Sequence, residues 1–158
     1  MIRIGSGFDA HRLVEGRPLI LGGVTLDFHM GLLGHSDGDA LTHAVCDAIL
    51  GAAALGDLGR HYKDTDPEYK DISSLLLLKD TGEKLKKAGY RVVNLDATII
   101  AEAPKIAPHS QTMARNLATA LDIDPDRVSI KATTTEKLGF TGRGEGIAAF
   151  CSVLIESV

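Results

Sequence analysis

The chain has 158 residues, 44% of them hydrophobic, enough for one globular domain that hides about 70% of its unfolded surface. Its net charge of -4, from 21 acidic and 17 basic side chains, comes without any block of like charge and argues against nonspecific attraction to nucleic acid. Cys46 and Cys151 are far apart and outside any paired-cysteine motif, which excludes a disulfide framework and favours a reducing compartment.

Residues 1–8 read MIRIGSGF, with no apolar run long enough for export, and no stretch approaches the ~20 residues needed to span a bilayer. A soluble cytoplasmic protein with no membrane partner is expected, with residues 1–158 forming a single catalytic domain.

Ile2, Ile4 and Phe8 predict an opening strand. Because side chains alternate along a strand, Asp9 and His11 share a face. Leu19–Leu21 and Val24–Leu26 predict a hairpin turned by Gly22-Gly23. Ser36-Asp37-Gly38-Asp39 resembles a capping box and predicts a helix from near Asp37, with Leu41, Val45, Ala48, Ile49 and Ala52 at helical spacing. Asp39, His43 and Asp47 are four apart, so they stack on one stripe, away from the main apolar one.

Gly56 to Asp71 is polar and turn-rich, and Ser73 to Ala88 predicts a second helix capped by Gly89. Val93, Leu95, Ala97 and Ile99 alternate with polar residues in a half-buried strand. Pro108 opens a third helix with Met113, Leu117 and Leu121 on one face. Val128, Ile130 and Ala132 predict a strand that ends at Thr133-Thr134-Thr135-Glu136. Ile147 to Ile155, almost continuously apolar, predicts a central strand. This order predicts an α+β fold, with helices packed on one face of a mixed β-sheet as a ferredoxin-like two-layer sandwich.

Asp9, His11 and His43 read either as a surface carboxylate with two unrelated histidines or as three protein ligands, one carboxylate and two imidazoles, that leave a fourth position open, as in catalytic zinc sites; spacing alone does not establish the site. These ligand types suit Zn2+ and also accept manganese or iron. His35 lies before the predicted helix N-terminus, where free N–H groups favour an anion, or serves as a solvated loop histidine. Asp37 and Asp39 can serve the helix start, and Asp47 can hold a ligating imidazole. The loop that carries Asp57, Asp64 and Asp66 reads by itself as a solvated turn. Thr133, Thr134 and Thr135 can donate to phosphate oxygens, and Glu136 offers a hard oxygen ligand for magnesium, although β-propensity alone also accounts for the threonines. The glycine-rich Gly139 to Gly146 reads as an anion-binding turn or a flexible hairpin.

Asp9-Ala10-His11, His35-Ser36-Asp37-Gly38-Asp39, His43, Asp64-Thr65-Asp66, Ala103-Pro104-Lys105 and the run Lys131 to Arg143 together resemble the 2-C-methyl-D-erythritol 2,4-cyclodiphosphate synthase family over nearly the full chain. The resemblance implies an enzyme of the non-mevalonate isoprenoid pathway. It would be a phosphorus-oxygen lyase that closes 4-diphosphocytidyl-2-C-methyl-D-erythritol 2-phosphate into the cyclic diphosphate and releases CMP.

By that resemblance Asp9, His11 and His43 hold Zn2+, and Glu136 contacts a second divalent cation, Mg2+ or Mn2+, on the substrate's diphosphate. His35 and Thr134 are the catalytic positioning groups, and Asp9, His11, His35 and Ser36 border the substrate. Asp57, Leu58 and Gly59, with Tyr62, Lys63, Asp64, Thr65 and Asp66, resemble the methylerythritol-phosphate pocket. Ala101, Glu102, Ala103, Pro104, Lys105, Ile106 and Ala107, with Thr133, Thr134, Thr135 and Glu136, resemble the cytidine diphosphate pocket.

The family is a homotrimer with sites between subunits. Phe8, Phe140, Arg143 and Glu145 resemble the lining of its central cavity, which can take isoprenoid diphosphates. Two positions depart from the family: Tyr62-Lys63 stands where Phe-Pro is frequent, and Cys46 where threonine is common. Two rival readings remain, a zinc-dependent phosphoester hydrolase and a non-catalytic trimer that binds isoprenoid diphosphates through Phe140 and Arg143.

Overall fold

A computed structural model describes residues 1–158. Seven strands, β1 (Ile2–Val14), β2 (Leu19–Leu21), β3 (Val24–Leu26), β4 (Gly31–Leu32), β5 (Tyr90–Ile100), β6 (Val128–Thr133) and β7 (Gly146–Ser157), alternate with five helices. The helices are α1 (Ala40–Ala52), α2 (Leu58–His61), α3 (Ser74–Lys87), α4 (Ser110–Leu121) and α5 (Gly139–Gly142). The main sheet has the order β4-β1-β7-β5-β6, and β2 pairs only with β3, in the expected hairpin.

The expected α+β architecture, with helices over a mixed sheet, is present, and the Ile147–Ile155 segment lies in the central strand β7. The ferredoxin-like arrangement is not. Helix α4 carries the chain from β5 to its immediate neighbour β6 and returns it to the same end, which makes that pair parallel. β1 and β5 both pair antiparallel with β7, which the chain reaches last.

Three element boundaries differ from the sequence reading. α1 begins at Ala40, not Asp37, because the Asp39 side chain accepts from the Thr42 N–H as the N-cap. α4 begins at Ser110, because Pro108 lies in a separate 3₁₀ turn, Ala107–His109. In β5 a bulge between Val92 and Asn94 buries Val92, not Val93, and resets the alternation before Leu95.

The packing of α1 on β1 sets the position of everything downstream. A Cβ on Gly5 would stand 2.1 Å from the Ala48 carbonyl oxygen, and one on Gly7 would stand 2.0 Å from that of Ala44. The two glycines let the helix backbone rest directly on the strand, and α1 is buried on nearly every side between the sheet and α3. His43 is therefore only 6% exposed, so its stripe is not the open face that spacing alone suggested. Cys46 and Cys151 are both buried; burial pushes their thiols up, away from reactivity.

The opposite face of the sheet carries exposed Ile2, Ile4, Phe8 and Phe150, with Phe8 directly across from Phe150 and Ile4 across from Leu154. No helix is long and apolar enough to cross a membrane.

Candidate metal centre and flanking cavities

Strand alternation brings Asp9 and His11 to the helix side of β1, where α1 delivers His43. Asp9 Oδ2 lies 2.7 Å from His11 Nε2 and 3.0 Å from His43 Nδ1, and the two ring nitrogens are 3.2 Å apart. Ligand atoms about 2.0–2.1 Å from a tetrahedral zinc ion would sit about 3.3 Å from one another. The triangle therefore has the size of one face of such a site.

Proton accounting supports a cation more strongly than size does. The Leu33 carbonyl can only accept, so at 2.6 Å His11 Nδ1–H donates to it, and in the neutral imidazole Nε2 keeps its lone pair. The Asp37 carboxylate accepts the Ser74 hydroxyl proton and also accepts from the Ser74 N–H at 3.0 Å. Ser74 Oγ must then accept at 2.8 Å from His43 Nε2, with Ser36 Oγ a further 3.0 Å contact, and Nδ1 is left as a lone pair. With His11 neutral, two imidazole lone pairs and the Asp9 carboxylate thus converge on one point. The donor set fits a divalent ion with one side open to a cavity.

Without an ion the same groups hold a proton. Burial pushes the Asp9 carboxyl up, but hydrogen bonds and charge from His11 and His43 outweigh it and bring it down to about 2 from 3.8. Burial pushes His11 down, yet the Asp9 contact outweighs it and the imidazole titrates above its ordinary 6.5. In the metal-free protein the His11 contribution to stability is complete below 6.5 and is lost as pH rises through the raised value. The Asp9 contribution is present above 3.8 and is lost as pH falls through about 2. Zinc must displace the His11 proton, so its affinity should fall as pH drops through the raised His11 value. Zinc titrations from pH 8 to 5.5 with release of about one proton on the acid side are the expected result; a pH-independent affinity would remove His11 as a ligand.

The open side of the triad faces a cavity of about 550 Å³ lined by Asp9, His11, Gly34, His35, Ser36, His43, Leu58, Gly59, Tyr62, Lys63, Asp64, Thr65, Tyr69 and Leu77. His35 lies beside the metal triad and not at a helix N-terminus, because Asp39 already caps α1. Its Nε2–H donates to the Asp66 carbonyl at 2.8 Å, which leaves Nδ1 free. Arg17 donates to the Gly34 and Ser36 carbonyls and holds this loop.

Asp57 and Asp66 do not line the cavity. Asp57 caps α2, accepting from the Arg60 N–H, and Asp66 caps a 3₁₀ turn. Asp47 accepts from the Leu58 N–H at 2.7 Å; it tethers the cavity wall and does not hold an imidazole as expected, the role that Ser36 and Ser74 take. Asp39 accepts from Gly22 N, Gly23 N and Thr42 and so locks the hairpin to α1. Gly34, Tyr69, Ser74 and Leu77 were not singled out by sequence, because they belong to no charged pattern and arrive by long-range packing.

At Tyr62-Lys63 the loop is held without proline. The Tyr62 hydroxyl donates to Asp80 at 2.5 Å, Lys84 sits 5.0 Å from the ring centroid, and Tyr69 packs edge-on at 5.6 Å. Lys63 consequently lines the cavity.

A second cavity, about 330 Å³, lies where β5 and β6 end, between Ala101, Glu102, Pro104, Lys105, Ile106 and Ala107 on one wall and Ala132, Thr133 and Thr134 on the other. Ala103, Thr135 and Glu136 are outside its lining; Thr135 Oγ1 donates to the Leu138 carbonyl at 2.6 Å and holds a turn. Glu136 is exposed and does not join the Asp9, His11 and His43 cluster. Ala10 is in register with Ala148, Ala148 with Ile100, and Ile100 with Thr133. At strand spacings of about 4.8 Å, that puts the two half-sites about 14 Å apart across the sheet. Phe140 and Glu145 border a third hollow with Ala10, His11, Arg12 and Gly146, and Arg143 pairs with Glu145 at 2.9 Å.

Fold and site define an α+β protein with an Asp-His-His centre able to hold a metal ion and open to a cavity. The chain belongs to the YgbB family, which it matches over residues 2–156. It is 59% identical over 155 residues to the 2-C-methyl-D-erythritol 2,4-cyclodiphosphate synthase of Desulfatibacillum aliphaticivorans, covering 98% of this chain and 100% of that protein. Among solved structures, the bifunctional IspDF of Campylobacter jejuni superposes with a TM-score of 0.96 at 47% identity, covering 100% of this chain and 43% of that longer one. The CDP complex of Plasmodium falciparum IspF superposes with a TM-score of 0.86 at 34% identity, covering 99% and 96%.

Proposed function

We propose that residues 1–158 form one catalytic domain that converts 4-diphosphocytidyl-2-C-methyl-D-erythritol 2-phosphate into 2-C-methyl-D-erythritol 2,4-cyclodiphosphate and CMP, acting in the cytoplasm as a phosphorus-oxygen lyase of the non-mevalonate isoprenoid pathway. The observation that carries this reading is the convergence of Asp9, His11 and His43 within 3.2 Å of one another on a cavity of about 550 Å³. The CDP-bound relative supports a cytidine diphosphate substrate.

The nucleophile belongs to the substrate. An oxygen of the 2-phosphate forms a bond to the β-phosphorus, the bond from that phosphorus to the bridging oxygen breaks, and CMP leaves with the electron pair. Zn2+ on Asp9, His11 and His43, and Mg2+ or Mn2+ at Glu136, would neutralise phosphate charge when bound. The walls Leu58, Gly59 and Tyr62 to Thr65 hold the methylerythritol phosphate, with Asp57 and Asp66 shaping the loop. His35 and Ser36 border the phosphate path, and Ala101 to Ala107 with Thr133 to Glu136 take the cytidine diphosphate. Orientation of the two phosphates contributes up to about 7–11 kcal/mol, against about 3–4 kcal/mol for one hydrogen-bond donor. The folding of the substrate therefore dominates, and Thr134 and His35 refine it.

A homotrimer is what the family resemblance implies, with the Thr133–Glu136 wall of one copy meeting the His35 and Asp9 wall of a neighbour; the separation of about 14 Å between the two half-sites of one chain supports that arrangement. The exposed Ile2, Ile4, Phe8 and Phe150 supply an apolar face for that assembly. Phe8, Phe140, Arg143 and Glu145 would border its axis, a place for an isoprenoid diphosphate.

Incubation of the protein with the cytidyl substrate, zinc and magnesium, followed by phosphorus NMR, tests the reading. Cyclic diphosphate plus CMP is expected; an acyclic phosphate carrying an atom of solvent water would assign a hydrolase instead. Thr134→Ala should keep its zinc while turnover falls roughly 10²–10³-fold; an unchanged rate in single-turnover experiments would take Thr134 out of the reaction.

A further inference from the structure

Two consecutive non-glycine residues, Glu136 at φ 51 and Lys137 at φ 63, occupy the left-handed region directly after the Thr133–Thr135 run. L side chains adopt this conformation rarely, and adjacent instances persist only where surrounding contacts impose them. Here one contact comes from a distant segment. Glu102 Oε1, on the opposite wall, accepts from the Lys137 N–H at 2.7 Å across 35 residues of sequence. Locally, Thr134 Oγ1 accepts from the Glu136 N–H at 3.2 Å. Gly142 leaves room for the Lys137 backbone, since a Cβ there would stand 2.2 Å from the Lys137 carbonyl carbon.

We infer that Glu102 is a positioning residue that, by accepting from the Lys137 N–H, ties one wall of the second cavity to the left-handed turn that follows the other wall and so fixes the backbone at Glu136. This deepens the proposed reading, in which Glu136 receives the second divalent cation. Glu102 Oε2 is buried with no donor in the chain, so the carboxylate is not held for its own solvation. Its Oε1 is committed to the turn.

The test compares wild type, Glu102→Ala, Glu102→Gln and Glu102→Ala combined with Lys137→Gly, all as full-length protein. CDP affinity with and without Mn2+ is measured by calorimetry, and exchange of the Lys137 amide proton by NMR. Loss of a group that orients a metal ligand typically lowers affinity about 10- to 100-fold. Glu102→Ala should lose that much of the Mn2+-dependent CDP affinity while metal-free CDP binding changes little, and its Lys137 amide should exchange faster. Glu102→Gln keeps an acceptor and should stay near wild type. Glycine adopts positive φ without strain, so Lys137→Gly should restore part of the loss.

Unchanged Mn2+-dependent affinity in Glu102→Ala overturns the inference. So does an equal loss with and without Mn2+ at unchanged Lys137 exchange, which would make Glu102 a direct ligand contact. Should wild type bind no CDP at all, the functional reading fails separately, and equal Lys137 exchange in wild type and Glu102→Ala would still overturn the clamp.

Discussion

His43→Ala should give a folded protein that retains no zinc through dialysis and forms no measurable cyclic product. Removing one of three ligands must cost more than the about 10- to 100-fold typical of losing a group that merely orients a ligand. The remaining pair, Asp9 and His11, keeps its 2.7 Å contact and reverts to an ordinary ion pair. The truncation also deprives the buried Ser36 and Ser74 hydroxyls of their imidazole partner, at about 1–3 kcal/mol, so the variant melts somewhat below the metal-free parent.

The decisive comparison is the response to added zinc. A ligand at 100 times its Kd stabilises the folded state by about 2.7 kcal/mol, which for a domain of this size raises Tm by about 5–11 °C. Wild type should show that rise, and His43→Ala should show none. Stoichiometric zinc in the variant by elemental analysis would dismantle the assignment of the triad.

The Asp9 and His11 half of the triad was legible because it rests on short-range periodicity, whereas His43, 34 residues from Asp9, joined it through the family resemblance. Alternation along β1 places Asp9 and His11 together whatever the rest of the chain does, and the hairpin at Gly22-Gly23 is equally local. What fixes the imidazoles is not local. Ser74 lies 31 residues from His43 and carries no sequence signature of its role. The stripe argument for His43 assumed a helix with one wet face, whereas Gly5 and Gly7 draw α1 so close to the sheet that nearly all of it is buried. The bulge at Val92 and Asn94 hides from binary patterning because both valines fit the apolar face. Carboxylates are hard to assign from letters alone: Asp39 serves the helix start as its spacing suggested, and Asp47, Asp57 and Asp66 each satisfy backbone N–H groups as well. The chain shares this economy with many proteins, in which short acidic side chains near an active site hold the loops that hold the catalytic groups.

The close approach of α1 to β1 yields the second large effect. In Gly7→Ala the new methyl would lie 2.0 Å from the Ala44 carbonyl oxygen, a backbone atom that cannot rotate away, so helix and strand must separate by roughly 1 Å or more before contact becomes tolerable. Overpacking of this kind costs about 3 kcal/mol or more, a fall in Tm of about 6–12 °C. The displacement also reaches chemistry. Ala44 is the neighbour of His43, so moving the helix outward pulls Nδ1 from its 3.0 Å contact with Asp9, and zinc affinity should fall with stability.

Gly51→Ala is the matched control. Gly51 is exposed on the same helix, and a Cβ there meets only the Ser6 carbonyl oxygen at 4.0 Å. Helix propensity alone should make that variant more stable by about 0.5–1 kcal/mol with zinc binding intact. A Gly7→Ala protein that melts with wild type and binds zinc as tightly would mean that the helix is not seated on the strand, and with it would go the geometry that brings His43 to Asp9 and His11.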